Sequence, residues 1–183
     1  MKVLIVTKAP FPYGMAATNR IRSYALGLEA NGDDVEVLTV HATEPPNRNP
    51  KNQLKGYYQG IRHRYVGSNI RSSSFFKRRF DDFKDFIRSL HLVYKSNCDV
   101  VYVYMNSLIK EQFILLASKL GGKKVVRELC EYPYKRKCIR SAILLKTFRF
   151  YDGFVAISQE LESCALKYKR KNASVIRIPI LID

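Results

Sequence analysis

Short, almost wholly apolar runs alternate along this chain with longer stretches of helical period, and that alternation limits its fold more than any other feature. The runs are Val3–Val6, Val35–Val40, a weaker Ile61–Val66, Val100–Tyr104, Val125–Val126, Phe154–Ile157 and Val175–Ile178. Strands without a polar face are buried on both sides, as in a parallel sheet covered by helices. Repeated βαβ units are the economical way to build one. The 183 residues suffice for one well-cored domain and are short for two. The expected fold is α/β: a single Rossmann-like, doubly wound domain with a mainly parallel sheet of six to seven strands flanked by helices.

The intervening segments place five helices. The first begins near Thr18, whose hydroxyl is suited to capping. It buries Ile21, Tyr24, Ala25 and Leu28 and stops at Asn31-Gly32. The second runs from about Phe75 to Tyr94, with Phe76, Phe80, Phe83, Ile87 and Leu90 on one stripe. The third spans about Leu108 to Leu120 before Gly121-Gly122. A fourth lies near Cys138–Phe150, and a fifth near Gln159–Tyr168 behind Ser158 as cap. Ala42 to Gly60 is polar, proline-bearing and aperiodic, and is expected as a long, mobile surface loop. In an open α/β sheet ligands bind beyond the carboxyl ends of the strands. The loops after Thr7, His41, Tyr104, Glu128 and Ile157 are therefore the ones to watch.

Several chemistries lack their residues. There is no G-x-x-x-x-G-K-[ST] phosphate loop, and no G-x-S-x-G elbow. The loop after the first strand, "PFPYGMAATNRIRS", holds the single Gly14 where a dinucleotide fold needs three glycines. Cys98, Cys130, Cys138 and Cys164 form no C-x-x-C pair, so reduced thiols and no metal centre are expected. No run approaches the roughly 20 apolar residues of a spanning helix. The N-terminal run is too short for a signal h-region, which leads to a cytoplasmic expectation. The net charge of +16 predicts attraction to anions.

Five segments in register then resemble one family. "PFPYGMAATNRIRSYALGLEANG" with "DDVEVLTV", "CDVVYVYMNS", "KKVVRELCEYPY", "YDGFVAISQELES" and "SVIRIPILID" are similar in order and spacing to the N-terminal half of family-4 glycosyltransferases of the GT-B fold. The resemblance covers nearly the whole chain. It implies a Rossmann-like, acceptor-binding domain over residues 1–178, with an interdomain linker starting at 179–183. It further implies a C-terminal, donor-binding domain with an E-x7-E motif, which these residues do not include. The implied activity is sugar transfer from a nucleotide donor to a glycan or lipid-linked acceptor, with retention at the anomeric carbon. It belongs to cell-surface polysaccharide or glycolipid synthesis and needs no cofactor or essential metal. This chain alone, whether truncated or one part of a split enzyme, is expected to be inactive.

The resemblance also assigns residues. Tyr13, Gly14, Met15 and Thr18 form the cleft wall facing the donor diphosphate, with Met15 standing where the family has a second glycine. Glu131 is the acceptor-side carboxylate, against the plainer reading that it pairs with Lys135, Arg136 or Lys137. Cys130 occupies a position where histidine is common. Asn106, Ser107 and Tyr132 complete the acceptor side, with helix capping the plainer role for Ser107. His41, His63 and His91 occur singly, and His41 ends the second strand.

The basic residues concentrate between Arg48 and Arg88, with 11 lysines and arginines against Asp81, Asp82 and Asp85. In "SFFKRRFDDFKDFIRSL" an aromatic stripe is flanked by cations. That pattern fits a helix lying on an anionic membrane surface. It also fits a stripe facing the core with a solvated basic back, which is the commoner arrangement at helical spacing. Peripheral association with the inner face of a membrane ranks above nucleic-acid binding, for which no motif is present. The alternative function is a stand-alone basic α/β module for nucleic acid or another polyanion.

Overall fold

The computed structural model describes residues 1–46, 48–105, 107–131 and 145–178. Eight strands form one sheet in the order β3-β4-β2-β1-β5-β6-β7-β8. They are β1 Lys2–Thr7, β2 Asp34–Thr39, β3 Lys55–Tyr58, β4 Ile61–Tyr65, β5 Val100–Tyr104, β6 Lys124–Leu129, β7 Gly153–Ala156 and β8 Ser174–Arg177. All neighbours pair in parallel except β3 with β4, which are antiparallel. Among the described residues the helices are α1 Ala16–Ala30, α2 Phe75–Lys95, α3 Leu108–Leu120 and α4 Gln159–Tyr168. The expected α/β, doubly wound architecture is the one observed.

Alternation along each strand feeds two separate cores. From β1, Val3 and Ile5 join Ile21 and Ala25 of α1 on one side of the sheet. Leu4 and Val6 face Val93 of α2 and Ile114 of α3 on the other. Chain order reverses direction between β1 and β5, so the ends of these two strands define the switch point of the sheet.

Four expectations need correction. The 42–60 segment is not an unstructured loop, because β3 forms a hairpin with β4 inside it. The turn is Gln59-Gly60, both with positive φ (48° and 85°), which lets the two strands follow their natural twist. β3 gives no strand signal because Lys55-Gly56-Tyr57-Tyr58 is a short edge strand without an aliphatic run, only Tyr58 packing on the core, and it raises the strand number to eight. Second, α1 begins at Ala16 with Met15 in the cap position, so Thr18 sits inside the first turn. Third, the stripe Phe76, Phe80, Phe83 and Ile87 faces away from the core. Phe86, Ser89 and Val93 are the residues buried with Asp85. The buried Ser89 hydroxyl is satisfied by donating to the Phe86 carbonyl at 2.6 Å. Fourth, Ser107 holds the cap position of α3 but makes no side-chain capping bond.

Ser158 behaves as expected, its Oγ accepting from the Leu161 amide at 3.3 Å. Most of the fourth expected helix lies outside the described residues, and its end at Phe148–Phe150 is a single 3-10 turn. No described helix is long and apolar enough to cross a membrane.

Candidate functional site

The loop leaving β1 is held from several directions. Phe11 is fully buried and meets the rings of Tyr58 and His63 at 6.1 and 5.6 Å between centroids. The Tyr13 amide donates to Asn52 Oδ1 at 2.7 Å, and the Tyr13 carbonyl accepts from Asn52 Nδ2 at 2.9 Å. The same Asn52 amide group donates to Glu44. Thr18, buried rather than facing a cleft, donates its hydroxyl to the Pro10 carbonyl at 2.7 Å and ties the helix back to the loop. Gly14 is required for room and not for positive φ. A Cβ there would lie 2.1 Å from Thr18 Oγ1 and 2.8 Å from Pro10 Cγ. Tyr13 and Met15 are left exposed at the rim. Proline stiffness and these three hydrogen bonds thus fix the loop before any ligand arrives.

At the carboxyl edge of the sheet, beyond β2 and β4, lies a cavity of about 470 Å³. It is lined by His41 after β2, the segment after β4 including Arg71, and the inner edge of α2 with Arg78, Asp81, Asp82 and Asp85. Burial pushes the His41 imidazole down to about 4, with Asp82 opposing and Lys8, Arg71 and Lys110 reinforcing the shift. His41 is therefore neutral at pH 7 and offers one donor and one acceptor. Burial, with Lys110 nearby, also lowers Lys8 at the end of β1. Burial raises Asp85 despite Arg88 alongside. Guanidinium donors and carboxylate acceptors alternate around the cavity, a combination that suits a polyhydroxylated ligand.

The end of β6 carries two charged residues on opposite faces, and neither was singled out beforehand. Glu128 points toward α1. It accepts from Tyr102 at 2.8 Å and from Tyr24 at 3.5 Å, and Arg20 Nη1 lies 3.4 Å away. Arg127 points toward α3 and pairs with the buried Glu111. A charged pair inside an otherwise apolar strand was the available signal, because buried charges need partners from neighbouring elements.

Burial pushes the Glu128 carboxyl up to about 7, against the opposing pull of Tyr102 and Arg20. An acid raised in the folded state holds its proton more tightly there than in the unfolded chain. Its contribution to stability is complete below about pH 4 and is lost as pH rises through about 7. Glu128→Gln is expected to remove that part of the slope. The thermal midpoint of the variant should fall less steeply than the parent's between about pH 5 and 8. Identical slopes would show that Glu128 does not titrate in this range.

On the acceptor side, Cys130 and Glu131 follow β6 directly. The Cys130 thiol is half-buried, and burial next to Glu128 and Glu131 raises it, so it is protonated at neutral pH. Glu131 is exposed. Ser107 is half-buried at the start of α3. Asn106, Tyr132 and the suggested partners Lys135, Arg136 and Lys137 lie outside the described residues, as does Cys138. Among the described residues no cluster of His, Cys, Asp or Glu is arranged to hold a metal ion.

Two solved structures share this fold. A sucrose-phosphate synthase from Thermosynechococcus elongatus superposes with a TM-score of 0.61 at 12% identity, over 100% of this chain and 91% of that one. The Anabaena protein HepE, in complex with UDP, gives a TM-score of 0.52 at 12% identity, with 100% of this chain matched to 45% of HepE. The chain thus spans a little under half of the HepE chain. No protein-family model and no curated protein matches the sequence. At this identity the likeness establishes the fold alone, a Rossmann-like α/β domain.

Proposed function

We propose that this chain is the acceptor-binding half of a nucleotide-sugar-dependent glycosyltransferase. The observation that carries the reading is the braced loop with Gly14, leaving β1 at the switch point, in a fold shared with a UDP-bound protein. Backbone amides at the start of α1 attract phosphate, and the fixed loop spares the ordering cost of binding. In this reading the wall Tyr13, Gly14, Met15 and Thr18 approaches the donor diphosphate, which a second domain outside these residues holds. Thr18 contributes by fixing the wall through Pro10. Asn106, Ser107, Cys130, Glu131 and Tyr132 form the acceptor side, where Glu131 orients an acceptor hydroxyl. Transfer proceeds with retention and without a cofactor, onto a glycan or a lipid-linked sugar.

The test is nucleoside diphosphate release from a panel of UDP-, GDP- and ADP-sugars by the chain joined to its donor-binding domain. Release is expected with one of these donors and not with the isolated chain. Glu131→Gln should lower turnover about 10²-fold or more with little change in stability. Near-parental turnover in that variant removes Glu131 from the site, and no release with any donor overturns the assignment.

A further inference from the structure

We propose that the outer face of α2 and α3 is a docking surface for an anionic phospholipid bilayer. Phe76, Phe80 and Phe83 are 83, 67 and 62% exposed, and Ile87 continues their line one turn on. On α3, Ile109, Phe113, Leu116 and Leu120 are exposed at the same four-three-four spacing. The two helices touch through Phe86 and Phe113, whose rings stack edge to face at 6.0 Å, so the two stripes adjoin. A run of large apolar side chains in water is costly and marks a surface that something covers.

The charges identify the occupant. All four acids of these helices are directed elsewhere. Asp81, Asp82 and Asp85 line the cavity on the opposite edge of α2, and Glu111 is buried against Arg127. The cations border the stripe. Arg79 lies over the Phe75 ring at 5.4 Å, Lys110 lies over the Phe86 ring at 5.2 Å, and the exposed Lys77 and Lys84 flank Phe80 along the helix, Lys84 standing between the stripe and the cavity rim that it also lines. Apolar rings bordered by lysine and arginine match the acyl chains and anionic headgroups of a leaflet, with the helices lying flat on it. A second copy of the chain fits less well, because a two-fold contact would bring the cationic borders together. The surface is independent of the glycosyl-transfer reading, since it predicts binding without turnover.

Vesicle co-sedimentation of the chain tests this directly. Expected is pelleting with vesicles containing about one-third phosphatidylglycerol at low ionic strength. Pelleting should weaken several-fold near 0.5 M salt (about one Debye length of 4 Å) and be slight on phosphatidylcholine alone. The triple variant Phe76→Ser/Phe80→Ser/Phe83→Ser should bind at least tenfold more weakly. Its thermal midpoint should be unchanged, since none of the three rings lies in the core. Lys77→Gln/Lys84→Gln should reduce binding at low salt only. Failure of the parent to pellet on anionic vesicles overturns the proposal. So does equal binding by the triple variant, or equal pelleting on phosphatidylcholine. A concentration-dependent dimer that those phenylalanine substitutions abolish, with no vesicle binding, assigns the face to self-association instead.

Discussion

Arg127→Met is expected to lower the free energy of unfolding by about 3–5 kcal/mol. Arg127 and Glu111 are both buried, and Nη2 donates to Glu111 Oε2 at 3.1 Å. The guanidinium also lies over the rings of Phe148 and Tyr151, at 5.0 and 5.6 Å. Removing it strands a carboxylate among aromatic side chains, and desolvation of a lone buried charge is the dominant cost. Burial already pushes Glu111 up to about 7 with Arg127 present. Without its partner the carboxyl should take up a proton more readily, so the loss should be smaller at about pH 5 than at pH 8. Adding Glu111→Gln to the variant should restore part of the stability, because no charge then remains to be paired. Urea unfolding checks each step; a loss below about 1 kcal/mol would mean that the pair adds little beyond packing.

Asn52→Ala should cost about 2–3 kcal/mol and free the loop after β1. One side chain satisfies both the amide and the carbonyl of Tyr13 and also meets Glu44. Its backbone carbonyl accepts from Asn69 at 2.7 Å, which keeps the residue placed even when the side chain is cut back. The variant should therefore remain folded while amide exchange at Tyr13 and Gly14 speeds up markedly. Unchanged exchange at those amides would show that the loop is held by Phe11 and Thr18 instead.

These two residues also mark where reading the chain fell short. Asn52 lies in a polar, aperiodic segment, and nothing local in such a segment announces that a side chain will be buried against a loop 39 positions away. Arg127 and Glu128 were visible as charges within a strand, but their partners on α3, α1 and β5 come from distant parts of the chain. The loop itself was legible, because two prolines and a glycine between a strand and a helix are a local signal. Its cap was misplaced by two or three residues, since Thr18 reaches back to Pro10 instead of capping the helix.

What the amino-acid order determined by itself was the alternation of strands and helices, and from it the doubly wound sheet. Burial on both faces leaves a continuous apolar run, and helical period is local. Tertiary structure alone decided which way α2 turns. The helix carries two apolar lines, Phe76-Phe80-Phe83-Ile87 and Phe86-Val93 with Ser89, and the more apolar one is left in solvent. Period reveals that such lines exist, but the rotation of a helix is set by what it packs against. Here the sheet and α3 seat Phe86 and Val93, and the cavity beyond β4 takes the acidic edge.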